Sequence, residues 1–274
     1  MRPPPVTLTV AGSDSGGGAR IQADLATFAA LGVHGTSAVT AVTVQDTVGV
    51  HAIHPVPADV VVAQVTTVVH DLAPHATKTG MLGDASTAAA VSDLAAQGLL
   101  PRLVVDPVLV STSGHALATD DVLAVVRDQL LPHAAVVTPN TDEAAALLGC
   151  SPATSVRDQT DQARRLLDLG CAAAVVTGGV DGGERVDVLA TPTGVRVMSG
   201  PQIDTRNDHG TGCTFAAAVA AGLAHGLPVD RAVTTARAFV RSALTASACW
   251  RLGRGRGPVS HLAPTTTDPR GEPA

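Results

Sequence analysis

Residues 6–31, VTLTVAGSDSGGGARIQADLATFAAL, decide the architecture. Residues 6–10 form an apolar, β-branched run of buried-strand character. A glycine-rich loop follows at 11–19, and the pattern then predicts a helix over 20–31. One strand runs through a loop into one helix, and the same alternation repeats along the chain. Strands are predicted at 39–44, 77–79, 103–106, 135–138 and 172–177. Helices are predicted at 58–71, 85–97, 120–130, 141–148, 155–169, 213–224 and 230–249. Residues 186–190 and 194–198 read as a hairpin turning around 192–194. Strands alternating with helices define an α/β fold with a mostly parallel sheet covered on both faces. In such sheets ligands bind beyond the carboxyl ends of the strands, so the informative residues are those just after each strand.

Composition narrows the function classes. The chain has 274 residues, 45% of them apolar, enough to bury a sizeable core. Three Phe, one Trp and no Tyr, with a net charge of −6, argue against a base-stacking nucleic-acid platform. No uncharged apolar run is long enough for a membrane span. The N-terminal apolar stretch is too short for a signal peptide, so a cytoplasmic location is expected. Cys150, Cys171, Cys213 and Cys249 lie far apart, with no metal knuckle or disulfide framework indicated. Positive charge is carried by seventeen Arg and one Lys, Lys78, the single amine side chain available to any mechanism. No repeat or linker interrupts the chain. One domain is expected over 1–262, followed by a disordered Thr- and Pro-rich tail at 263–274.

Several loops carry candidate chemistry. In the first, residues 11–19, glycines allow backbone N–H groups to approach a ligand. It is neither a Walker A loop nor G-x-G-x-x-G, and a flexible strand-to-helix turn reads equally well. The second, Asn207-Asp208-His209-Gly210-Thr211-Gly212-Cys213, runs into an Ala-rich helix. There the N–H groups of Thr211 to Cys213 would face an anion, and the helix dipole would lower the Cys213 thiol pKa. The competing reading packs Cys213 into the core. Glu143, one turn beyond Asn140, is either a helix-dipole partner or a Mg²⁺ ligand, and Asp106 before Pro107 is similarly two-sided. Gln45 offers an amide that matches the edge of a heteroaromatic ring. Asp24 is either a solvated helix position or a polar contact to the same ligand. Among the histidines, His209 alone is placed to line the site.

Taken together, AGSDSGGGARIQADL (11–25), AVTVQDT (41–47), KTGML (78–82), VVDPV (104–108), TPNTDEAAAL (138–147), VVTGG (175–179) and NDHGTGCTFAAAVAAGLA (207–224) closely resemble the hydroxymethylpyrimidine/phosphomethylpyrimidine kinases. These enzymes form a branch of the ribokinase-like superfamily and serve thiamine biosynthesis. The resemblance implies a three-layer α/β/α sandwich, typically dimeric. It implies ATP and Mg²⁺ as cofactors and a small pyrimidine alcohol as substrate, phosphorylated first to the monophosphate and then to the diphosphate. It places Gly12, Ala19, Asp24, Val44, Gln45 and Met81 in the substrate pocket. Gly210, Thr211 and Gly212 would form the anion hole, with Cys213 at the phosphoryl acceptor. Asp106, Asn140, Thr177, Thr211 and Gly212 would lie along the triphosphate, and Asp106 and Glu143 around Mg²⁺.

Three residues depart from that pattern. Thr177 stands where the family usually has a Lys that contacts ATP phosphates, and Lys78 belongs to another part of the chain. Arg20 replaces a usual Gly. Asp208 adds negative charge before the anion hole. Asp208 and Thr177 together are expected to make the site less favourable for a triphosphate. Two other readings follow from the same residues: a pyridoxine/pyridoxal kinase, since Gln45 can bond either ring, and a pyrimidine-binding protein with weakened catalysis.

Overall fold

The computed structural model describes residues 3–109 and 119–262. The tail expected at 263–274 lies outside the described residues.

One sheet of nine strands runs in the order β3-β2-β1-β4-β5-β6-β7-β8-β9. Its six central strands are parallel: β1 (Val6–Asp14), β2 (His34–Gln45), β4 (Ala76–Thr79), β5 (Val104–Val105), β6 (Val136–Val137) and β7 (Ala174–Asp181). β3 (Val50–Pro55) adds antiparallel at one edge, and β8 (Glu184–Thr191) and β9 (Gly194–Pro201) add antiparallel at the other. Successive side chains of a strand point to opposite faces, and the central strands use this strictly. Val104, Val136 and Val175 join one core; Val105, Val137 and Val176 join the other.

The first core is roofed by α1 (Arg20–Ala30), α7 (Thr211–Ala224) and α8 (Val229–Ser247), which pack on one another. The second is covered by α2 (Ala58–Leu72), α3 (Ala85–Ala96), α4 (Asp120–Val125), α5 (Thr141–Leu148) and α6 (Val156–Leu167). This is the expected three-layer α/β/α sandwich. α7 is buried from Cys213 to Ala224, and its run of alanines lets the helix lie close against sheet and α8 alike.

Three stretches differ from the sequence expectation. β2 starts at His34 rather than at 39, because His34-Gly35-Thr36-Ser37 has turn-like composition yet pairs with Val6–Thr9. β3 is broken by His51 and His54 and ends in Pro55, so it carries no long apolar run; an edge strand needs none. β7 runs past Gly178-Gly179, where the ladder shifts register, and reverses at Gly182-Gly183, both at positive φ. The predicted hairpin is thus a three-stranded meander.

Candidate active site

The carboxyl ends of the parallel strands and the N-terminus of α7 enclose a cleft of about 620 Å³. Ala19, Gln45, Asp106, Asn140, Glu143, Thr177, Gly210, Thr211, Gly212 and Cys213 all line it, as does His209. Four expected contacts are placed elsewhere. Gly12 and Met81 lie beneath the lining, Met81 at 2% exposure. Val44 is half exposed on β2 and is not part of the lining. Asp24 is fully buried in α1.

Gly210 caps α7 at φ +84°, in the left-handed region that favours glycine. A Cβ there would stand 1.9 Å from Gly18 O, and a Cβ on Gly18 would stand 2.5 Å from the His209 ring. The two glycine loops therefore interlock at positions where no side chain fits. The Thr211 N–H and hydroxyl both donate to Asp208 O, at 3.2 and 2.6 Å. The Gly212 and Cys213 N–H groups meet no acceptor among the described residues. They are first-turn donors at the positive end of a helix dipole, open to the cleft.

The first loop does something other than expected. The N–H groups of Gly16, Gly18 and Ala19 donate to the Asp14 carboxylate at 2.8–3.2 Å, and His209 Nε2 lies 2.9 Å from the same group. Burial works to raise the Asp14 pKa, but these bonds outweigh it and hold the carboxyl below its ordinary value. The loop amides close on their own carboxylate instead of waiting for an anion. The Ser15 hydroxyl also donates to Gln45 O, and Gln45 N–H donates back to that hydroxyl. This clamp points the Gln45 amide into the cleft beside His209, 3.3 Å away.

Lys78 lies on β4 and is fully buried. Its Nζ is 3.1 Å from Asp24 Oδ2 and 3.2 Å from Asp106 Oδ2. Burial alone would depress its pKa; Asp24, Cys213 and Asp106 more than offset that and lift it. Asp24 also accepts the Thr9 hydroxyl at 2.6 Å, so its carboxylate anchors Lys78 from behind the wall instead of meeting a ligand. Cys213 packs with Ala19 and Ala23 at 7% exposure. Burial pushes its thiol up to about 12 despite the attraction of Lys78. The thiol thus stands above its ordinary value rather than below it as expected, because burial and the neighbouring carboxylates Asp106 and Asp24 oppose the thiolate.

On the opposite wall Asn140 and Glu143 form a capping box. Asn140 Oδ1 accepts the Asp142 and Glu143 N–H groups, and Glu143 Oε2 accepts the Asn140 N–H, all at 2.9 Å. Burial and then the charge of Asp106 push the Glu143 carboxyl up to about 8. Two carboxyls lining one cleft suit a hard divalent cation. Among the described residues no cluster of three ligating side chains exists, so the protein supplies part of a coordination shell only. That donor set fits Mg²⁺, which completes its shell with water and phosphate oxygens.

Two of the departures have structural consequences. Asp208 is paired with Arg256 through both carboxylate oxygens, Nε lying 2.7 Å from Oδ1, so its charge is offset before it reaches the anion hole. Thr177 lines the cleft with its N–H donating to Pro139 O at 2.8 Å, and adds no cation. Thr177→Lys is expected to lower the KM for ATP roughly fivefold, from about 1 kcal/mol of added attraction. An unchanged or raised KM in initial-rate kinetics would mean other groups already fill that role.

Sequence reasoning assigned no role to Asp14 and found no use for Lys78 or Arg256. Arg20 is also part of the lining, buried to 3% and held at φ +58°. A left-handed non-glycine residue costs about 1–2 kcal/mol. A polar residue in a loop that resembles Gly-Gly-Gly-Ala-Gly was its only signal.

Residues 14–260 match the family model described as phosphomethylpyrimidine kinase. The chain is 47% identical over 259 residues to a hydroxymethylpyrimidine/phosphomethylpyrimidine kinase of Rhizobium meliloti, covering 94% of this chain and 97% of the relative. Among solved structures, an ADP complex of Bacillus subtilis pyridoxal kinase superposes with a TM-score of 0.87 at 35% identity, covering 94% and 97% of the two chains. A phosphomethylpyrimidine kinase from Clostridium difficile gives 0.77 at 34%, covering 88% and 99%.

Proposed function

This chain belongs to the phosphomethylpyrimidine kinase family, and on that premise we propose that its cleft transfers the γ-phosphoryl group of ATP to a hydroxymethylpyrimidine and to its phosphate ester. The observation that carries this reading is the pair of amides at the head of α7, Gly212 and Cys213, that have no partner among the described residues. Phosphoryl transfer asks for positioning and charge neutralisation more than for covalent work. Those amides are fixed by the interlocked loops and need no rearrangement as charge develops. Gln45, clamped by Ser15, would read the edge of the heterocycle. Asp106 and Glu143 would hold Mg²⁺, which supplies charge neutralisation along the triphosphate when bound. Lys78, 3.2 Å from Asp106 Oδ2, holds that carboxylate in place from below.

The test is ADP release from purified protein with Mg-ATP and each pyrimidine. Turnover of either supports the proposal, and turnover of neither refutes it. A second reading, pyridoxal kinase, is favoured by the Bacillus subtilis structure. A higher kcat/KM for pyridoxal than for the pyrimidines would establish it. The resemblance also implies a homodimer, which sedimentation velocity tests as twice the chain mass. Among the described residues no helix is long and apolar enough to cross a membrane.

Cys213 stands at the acceptor end of the cradle. A hydroxyl acceptor must lose a proton, and the Cys213 thiol, itself protonated, would relay it only by passing on its own proton. Cys213→Ala is expected to lower kcat with the hydroxymethyl substrate by about 10²-fold, the usual scale for one proton-transfer group. A wild-type rate in that variant would remove Cys213 from the mechanism.

A further inference from the structure

Arg20 is the cationic side chain among the described lining residues, and the chemistry above leaves it unused. It is buried to 3%, and neither Nη1 nor Nη2 meets a hydrogen-bond partner among the described residues. Its guanidinium rests against the layer beneath the cleft lining. Nη1 is 3.4 Å from the point where a Cβ on Gly12 would stand, and Met81 Sδ is 3.5 Å from the same point. Arg20 also interacts electrostatically with Cys213, at the head of the anion cradle.

The fixed anions around it are engaged elsewhere. Asp14, which also acts on Arg20, already receives three loop amides and His209. Asp24 and Asp106 are paired with Lys78. Among the described lining residues Arg20 is the sole arginine or lysine, facing Asp106, Asp142, Glu143 and Asp208 across the cleft. A desolvated guanidinium with open donors calls for an anion, and its planar fork matches phosphate oxygens. The residue also holds a left-handed backbone that glycine would adopt without strain, and such strain gathers at functional positions.

We propose that Arg20 is a specificity residue that receives the negative charge of a phosphomethylpyrimidine acceptor, so that this chain favours the phosphate monoester over the free alcohol. The proposal rests on the kinase reading of the cleft. In the favoured step an oxygen of the monoester dianion forms a bond to the γ-phosphorus. The bond to the β,γ-bridging oxygen breaks, and ADP leaves with that electron pair. No proton is lost in this step, whereas transfer to the hydroxymethyl group releases one. A Cys213 thiol that stays protonated suits an acceptor that arrives already ionised.

The test compares wild type with Arg20→Gly and Arg20→Lys in kcat/KM for the phosphomethyl and hydroxymethyl pyrimidines. Calorimetry of both pyrimidines without nucleotide accompanies it. Arg20→Gly is expected to lower the phosphomethyl-to-hydroxymethyl ratio at least about tenfold, mainly through KM for the monoester, with Arg20→Lys partly restoring it. Its melting temperature is expected to equal or exceed that of wild type, since glycine relieves the φ strain. An unchanged or raised ratio would overturn the proposal and make the guanidinium an obstruction. If wild type turns over neither pyrimidine, the kinase reading fails separately. Calorimetry then decides on Arg20: weaker monoester binding by Arg20→Gly upholds it, and equal binding overturns it.

Discussion

Lys78→Met is expected to destabilise the fold by about 3–5 kcal/mol, the scale for removing one partner of a buried ion pair. The variant leaves Asp24 at zero exposure and Asp106 at 4% without their counter-charge. The loss has a defined pH sense. Asp24 sits at about 6 in the folded protein against an ordinary 3.8, raised by burial and held down from higher values by Lys78. Without the ammonium it rises further. A carboxyl raised in the fold costs most where the unfolded chain is ionised, above pH 4. Stability of the variant should therefore fall as pH increases from 4 towards 8, and the deficit should be smaller at pH 5 than at pH 8. Adding Asp24→Asn should recover part of it. Urea denaturation at the two pH values measures this. A deficit under 1 kcal/mol at pH 8 would mean that water reaches the triad.

Gly212→Ala is expected to lower kcat/KM by up to about 10²–10³-fold, the scale for losing one cradle donor outright, since alanine keeps the N–H and acts by crowding the phosphoryl group, while leaving the melting temperature close to that of wild type. A Cβ at Gly212 meets nothing within 4 Å, so the fold accommodates it and only the space in front of the amides is filled. Gly210→Ala provides the contrast. Its Cβ would collide with Gly18 O, on a backbone at φ +84°, so it should lose both stability and activity. Calorimetric melting with initial-rate kinetics separates the two. Full activity in Gly212→Ala would show that the phosphoryl group travels elsewhere.

Much of this molecule is legible in the chain because the signals are local. The step from a strand at residues 6–10 through a glycine loop into a helix is visible in twenty-six consecutive residues, and it is the order of β1 and α1, although β1 runs on to Asp14 inside the expected loop. Gly210 and Gly212 before an Ala-rich run likewise announce a helix terminus with room in front of it. What escapes is non-local. The first loop looks like an anion cradle until Asp14 and His209, 195 residues apart, are seen to meet across it. Lys78 looks idle until Asp24 and Asp106 arrive from α1 and the end of β5. Asp208 looks adverse until Arg256 folds back onto it. In each case the charge of one residue acquires its meaning from a partner that no periodicity reveals, because ion pairing across a fold depends on packing.

A crystal structure with Mg-ADP, aluminium fluoride and phosphomethylpyrimidine bound would decide whether α7 cradles the group in flight. The expected result is a planar fluoride group within hydrogen-bond distance of the Gly212 and Cys213 N–H groups, with the acceptor oxygen in line on the Arg20 side. A fluoride group held away from α7, with those two amides bonded to protein or solvent, would contradict it.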